Sequence, residues 1–126
     1  MTDTSYGDIS TTVNQEERVA FSGNEVEQAV REYFSDIPVL VQVARCESTF
    51  RHTLEDGTVL RGKVDSRDLG VMQINTFYHG TEAAKLGLDL ENFEDNMEYA
   101  RQLYERQGTQ PWKASSACWN KSLASL

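Results

Sequence analysis

The sequence predicts a mostly helical α+β domain, and three observations lead there. Apolar residues recur at helical spacing in separate stretches near residues 26–34 and 97–104. Between them lies a turn-rich segment with short β-prone pieces. At 126 residues, 39% hydrophobic and 25% charged, the chain has material for one soluble core and too little for two domains.

Taken in order, residues 1–22 are rich in Thr, Ser, Asp and Gly and read as a disordered polar tail or linker, leaving 23–126 as the folded domain. The tail lacks the basic region and apolar run of a signal peptide, so either a signal has been removed or export follows another route. A first helix is expected from a cap at Asn24, with Glu27 three residues on and an inner face of Val26, Ala29, Val30, Tyr33 and Phe34. Asp36-Ile37-Pro38 breaks it, and Pro38 suits the first turn of another helix.

The run Val39–Glu47 is ambiguous. Val39, Val41 and Val43 alternate as in a strand, yet the whole run is apolar enough for a buried helix. Glu55-Asp56-Gly57-Thr58 signals a turn, and Val59-Leu60-Arg61 is a candidate strand of a small hairpin. A short helix is expected over Thr81–Leu86, closed by Gly87. A longer one follows over Asp95–Gln107, with Asp95 and Glu98 as a capping box, Met97, Ala100, Leu103 and Tyr104 inward, and Gly108 at its end. Pro111–Asn120 carries both tryptophans.

Charge and composition exclude several classes. The net charge is −8, but residues 1–36 hold eight acids against two bases, while residues 37–126 hold twelve against ten. No basic patch invites nucleic acid, and a near-neutral domain gains no steering towards an anionic polymer. No apolar run approaches the roughly 20 residues of a membrane span. Cys46 and Cys118, with two scattered histidines, make no zinc pattern. They pair in an oxidising compartment or pack as two buried thiols. No metal and no cofactor is expected.

Two segments carry chemistry. Glu47 ends an apolar stretch broken only by Gln42 and Arg45, and partial burial favours the protonated form that a general acid needs. The plainer reading pairs it with Arg45 or Arg51, or leaves it exposed. In Asp65–Asn75, Gly70 lets backbone approach a ligand, while Gln73 and Asn75 offer donors and acceptors suited to sugar hydroxyl and N-acetyl groups. An ordinary β piece with polar ends fits that segment equally.

Ala44-Arg45-Cys46-Glu47-Ser48-Thr49-Phe50 resembles the ESxF signature of soluble lytic transglycosylases and animal lysozymes. Gly70-Val71-Met72-Gln73-Ile74 resembles the transglycosylase GLMQ motif. Asn96–Tyr104 resembles the third motif, an Asn-Ile-x-x-(Gly/Ala) helix with aromatics. Together they cover roughly residues 26–120, in the family's order and spacing. The resemblance implies a lysozyme-like fold, with a small β-hairpin region beside a cleft and Pro38–Glu47 as a helix presenting Glu47.

Departures accompany the matches. Ala117-Cys118-Trp119-Asn120 puts Trp119 where transglycosylases carry a Tyr that supports the catalytic Glu. Asp68–Asn75 is similar to the segment of chicken-type lysozymes whose Asp is the second catalytic carboxylate, and Met72–His79 to a goose-type stretch.

The resemblance implies a monomeric, extracytoplasmic enzyme. It would cleave the β-1,4 bond between N-acetylmuramic acid and N-acetylglucosamine in peptidoglycan glycan strands. Glu47 would be the acid/base of a lytic transglycosylase, the alternative being a hydrolytic lysozyme with Asp68 as second carboxylate. Ser48, placed to orient Glu47, Gln73, Asn75, Tyr99 and Trp119 are the expected substrate-binding residues. His52 and His79 read as loop or supporting residues. A non-catalytic wall-glycan-binding module is the remaining alternative.

Overall fold

The computed structural model describes residues 23–124, so the tail expected over residues 1–22 lies outside them. The described chain is mostly helical, with a two-stranded antiparallel sheet.

Helix α1, Gly23–Tyr33, starts one residue before the expected cap, so Asn24 lies inside it. Its predicted face is turned inward: Val26, Val30 and Phe34 are buried, Ala29 and Tyr33 partly so. Helix α2, Pro38–Ser48, opens on its proline. Leu40, Val41, Gln42, Val43 and Ala44 are all buried, because α2 packs against α1 on one side and the C-terminal elements on another. A helix covered on several faces has no polar stripe, which is why its periodicity was uninformative. It ends at Thr49, whose left-handed backbone (φ 51°) returns its N–H to the Arg45 carbonyl.

The expected hairpin exists in reduced form. Leu54 N–H bonds to the Thr58 carbonyl at 2.8 Å across the Asp56-Gly57 turn, and Thr53–Val59 and Arg61–Leu69 form isolated bridges. The paired strands lie later, β1 at Asp68–Leu69 and β2 at Ile74–Asn75, with Asp68 opposite Asn75.

Helix α3 runs Thr76–Lys85, five residues earlier than expected, because the Asn75 side chain caps it by accepting from the Phe77 and Tyr78 N–H groups. Helix α4, Phe93–Gln107, is likewise capped by Asn92, which accepts from Asp95 N–H at 2.9 Å. The expected Asp95–Glu98 capping box is not used. Asp95 instead receives the N–H of Asp89, and Glu98 receives the Tyr33 hydroxyl and the Gln102 amide. A 3-10 helix, Gln110–Ser115, leads into α5, Ser116–Ala124. A Cys46–Cys118 disulfide ties α2 to α5 across 72 positions, deciding between the two readings of the thiols.

Two buried polar side chains pin the β1–β2 turn to the helices. The Asn96 amide, fully buried, accepts from Met72 N–H and donates to the Leu69 and Leu90 carbonyls, all within 3.0 Å. His52 Nδ1 accepts from Val71 N–H, and its Nε2–H donates to the Glu91 carbonyl. Gly70 (φ +74°) sits between them, where a Cβ would lie 2.5 Å from His52 Cε1 and 2.7 Å from Asn96 Nδ2. Gly70 therefore admits these two core side chains rather than the close ligand approach expected of it. Among the described residues, no helix is long and apolar enough to cross a membrane.

Candidate active site

Glu47 stands in the last turn of α2, half-buried, in the wall of a cleft of about 330 Å³. That is the lower end of the size range for ligand clefts, roughly 300–1,000 Å³. Asp68, Gln73, Ile74 and Asn75 of the β1–β2 region line the same cleft, with Tyr78 and His79 from α3 and Trp112 from the 3-10 helix. The sequence separation between Glu47 and Asp68 is closed by the fold alone. A more open groove between Thr53–Arg61 and Asp89–Asn92 holds none of the expected site residues. Glu47 and Asp68 both line the smaller cleft, which makes it the candidate site.

The electrostatics of Glu47 are asymmetric. Burial pushes its pKa above the ordinary carboxyl value, a hydrogen bond from the Ser115 hydroxyl to Oε2 at 2.7 Å opposes this, and the Asp68 charge adds to the rise. No arginine or lysine lines the cleft among the described residues, so Glu47 has no ion pair there. The bland pairing with Arg45 or Arg51 is not made. Arg45 turns to Gln42 and Ser122, and Arg51 to Ser48 and Thr49.

Asp68 is also raised, first by burial and then by the charge of Asp65, while Asn75 and Arg67 oppose the rise. Asn75 is the hub of this wall. Its Nδ2 donates to Asp65 Oδ2 at 3.0 Å and Asp68 Oδ1 at 2.9 Å, and its Oδ1 accepts two backbone N–H groups at the start of α3. All four hydrogen-bonding positions of the amide are filled. Asn75 therefore orients Asp68 and caps α3 and has nothing left for a sugar, contrary to its expected role.

Gln73 keeps a free capacity. Its backbone is left-handed (φ 51°) and one amide hydrogen goes to the Gly70 carbonyl, which leaves the other hydrogen and Oε1 for a ligand. Gly62 makes room for it, since a Cβ there would lie 2.9 Å from Gln73 Oε1 and 3.1 Å from Asp68 Cβ.

Three expected contacts lie elsewhere. Ser48 is 1% exposed and bonds to the Ala44 carbonyl and Arg51 N–H, as a small polar residue in a helix end does when its own backbone is the nearest partner. The hydroxyl on Glu47 belongs to Ser115, which sequence spacing did not reveal. Tyr99 is fully buried and does not line the cleft; its hydroxyl lies 3.1 Å from Nδ1 of His79, which does. Trp119 is buried and donates to the Trp112 carbonyl, so its ring is core and not a sugar platform. Trp112, 2% exposed, donates from Nε1 to the Met72 carbonyl at 2.9 Å and joins the two walls beneath the cleft. His79, read as a supporting residue, lines the cleft directly, and burial holds its pKa below the ordinary histidine value.

The arrangement can donate a proton from Glu47, place a negative charge at Asp68 opposite it, and offer the Gln73 amide to a polar ligand. Comparison of the chain with protein-family models, with curated proteins and with solved structures finds no match.

Proposed function

We propose that the chain is a peptidoglycan glycosidase of lysozyme-like fold, cutting the β-1,4 bond between N-acetylmuramic acid and N-acetylglucosamine. One observation carries this reading. A half-buried carboxyl, raised in pKa and free of any cation, shares a cleft with a second, separately oriented carboxyl. Most glycosidases use such a pair: an acid for the leaving oxygen and a carboxylate for the oxocarbenium-like centre. The short motifs around Glu47, Gln73 and Asn96 support the same substrate class.

Glu47 protonates the glycosidic oxygen as the bond to the muramic C1 breaks, and the bonding pair leaves with that oxygen. In the hydrolytic route Asp68 stabilises or attacks C1 and water completes the reaction. In the transglycosylase route the C6 hydroxyl closes on C1 and Glu47 takes its proton. The position of Asp68 favours hydrolysis, as does Trp119 at the family's Tyr position. The disulfide fits an extracytoplasmic location, since such bonds persist in oxidising compartments.

Digestion of purified sacculi tests the reading. Glu47→Gln preserves shape and removes the acid, so clearing falls by roughly two to four orders of magnitude. Clearing by Glu47→Gln at the wild-type rate refutes the assignment, and binding without any release by the wild type leaves a wall-binding module. Mass spectrometry of the muropeptides separates the routes: reducing ends for hydrolysis, products one water lighter for anhydro-ring closure.

A further inference from the structure

Among the described residues, Ser115 is the one side chain hydrogen-bonded to the Glu47 carboxyl, and its geometry constrains where the acidic proton can sit. A serine hydroxyl has a single hydrogen. Ser115 Oγ has two acceptors in reach, Glu47 Oε2 at 2.7 Å and the Trp112 carbonyl at 3.1 Å. The Trp112 carbonyl is already supplied by the Trp119 indole N–H at 3.1 Å. The shorter contact, and a Trp112 carbonyl that already holds one donor, direct the Ser115 hydrogen to Oε2. Glu47 Oε1 has no hydrogen-bond partner among the described residues.

We propose that Ser115 is a positioning residue that selects the reactive oxygen of Glu47: by donating to Oε2 it confines the acidic proton to Oε1. The proposal rests on the glycosidase reading above and adds to it which oxygen reacts and what fixes it. With Oε2 held as an acceptor, Oε1–H is the only proton Glu47 can give. When it passes to the leaving oxygen, Oε1 becomes the anionic atom that takes a proton from the incoming hydroxyl. Oε2 keeps the same donor throughout, so acid and base steps occur at one atom without rotation of the carboxyl. Trp119 acts one bond further back, because its indole already supplies one donor to the carbonyl that competes for the Ser115 hydrogen.

The other charged and titratable groups around this carboxyl are few. Asp68 stands across the cleft from β1, and Tyr78 and His79 of α3 line it. Of the basic residues on the adjoining elements, Arg45 is turned to Gln42 and Ser122, and Lys113 is exposed. A donor to the carboxylate stabilises its ionised form. Loss of Ser115 therefore raises the pKa of Glu47, and the alkaline limb of the pH–rate profile, which reports ionisation of the acid, moves to higher pH.

The full chain is assayed on sacculi as wild type, Ser115→Ala and Ser115→Thr across pH. The expected result for Ser115→Ala is a fall in kcat of about ten- to a hundredfold with KM little changed, and an alkaline limb displaced upward. Ser115→Thr, which keeps the hydroxyl, restores both. A fall in activity with the limb unmoved, or no rescue by Thr in a folded variant, overturns the proposal. Carbon-13 NMR titration of the Glu47 carboxyl in the same three proteins gives the answer without turnover: an unchanged titration in Ser115→Ala is fatal to it. A wild type that cleaves nothing but shows the NMR shift sinks the glycosidase reading alone.

Discussion

Replacing Asn96 by Leu should destabilise the fold substantially without changing its shape. The two side chains are close in size, so the change is chiefly a loss of polarity. Asn96 accepts from Met72 N–H at 2.9 Å and donates to the Leu69 and Leu90 carbonyls at 3.0 and 2.9 Å. All four residues are at most 6% exposed, so water does not readily replace the amide. A buried polar group left without its partner costs about 1–3 kcal/mol. Met72 N–H has one bonding position and loses it. Each carbonyl has two lone pairs and loses less. The sum is about 3–5 kcal/mol, against the roughly 5–15 kcal/mol that separates most folded domains from the unfolded chain. With a urea m-value of about 1.5 kcal/mol/M, the midpoint should fall by about 2–3 M with no change in slope. Asn92→Ala serves as a control, since removing an exposed helix cap costs only about 1 kcal/mol. A loss below about 1 kcal/mol for Asn96→Leu would falsify the view that this amide fastens the cleft wall to α4.

Two further outcomes are expected. Reduction of the Cys46–Cys118 disulfide, or its replacement by two alanines, releases a loop of 72 positions, worth about 4 kcal/mol in the chain-entropy model. Denaturant melts with and without reductant measure this, and alkylation of two free thiols in untreated protein rules the bond out. His52 stays neutral in the native state below the ordinary histidine pKa of about 6.5, because burial lowers its value while its hydrogen bond to the Glu91 carbonyl opposes that only in part. The unfolded chain takes up that proton first, so this residue's contribution to stability is present above about pH 6.5 and is lost as pH falls towards the lowered native value. An NMR titration of the His52 ring at or above the ordinary value contradicts this.

What the sequence made legible follows the physics of each signal. The α1 face and the inner face of α4 were readable because one side of each helix meets water and the other the core. Helix α2 was not readable by pattern, because burial on several sides erases the polar stripe, and only the motif resemblance separated helix from strand. The start of α3 was missed for the opposite reason. Phe77 and Tyr78 are exposed and Ala83 is its one buried residue, so no apolar stripe marks the first turns. The signal present is Asn75 as a cap, which residue type alone does not separate from a sugar ligand. Glu47, Asp68 and Gln73 were found from residue type and motif, and the fold brings all three to one cleft. Ser115 was invisible, because a serine 68 positions from its partner leaves no local trace. Ser48, Tyr99 and Trp119 sit beside the right elements, but their polar atoms are spent on carbonyls, an N–H and a histidine.

The indole bond from Trp112 to the Met72 carbonyl has a mechanical consequence. It ties the β1–β2 turn, beside Asp68 and Gln73, to the 3-10 helix that carries Ser115. The two sides of the cleft are thus stapled at its base, and a hinge that widened the slot would have to break a buried hydrogen bond first. Such a slot is already shaped before any ligand arrives. The ordering cost of binding then falls mainly on the flexible ligand, and little remains for the protein to lose. Occupancy should accordingly leave the amide-exchange protection of Met72 and its neighbours nearly unchanged, in contrast to enzymes whose jaws close around what they cut.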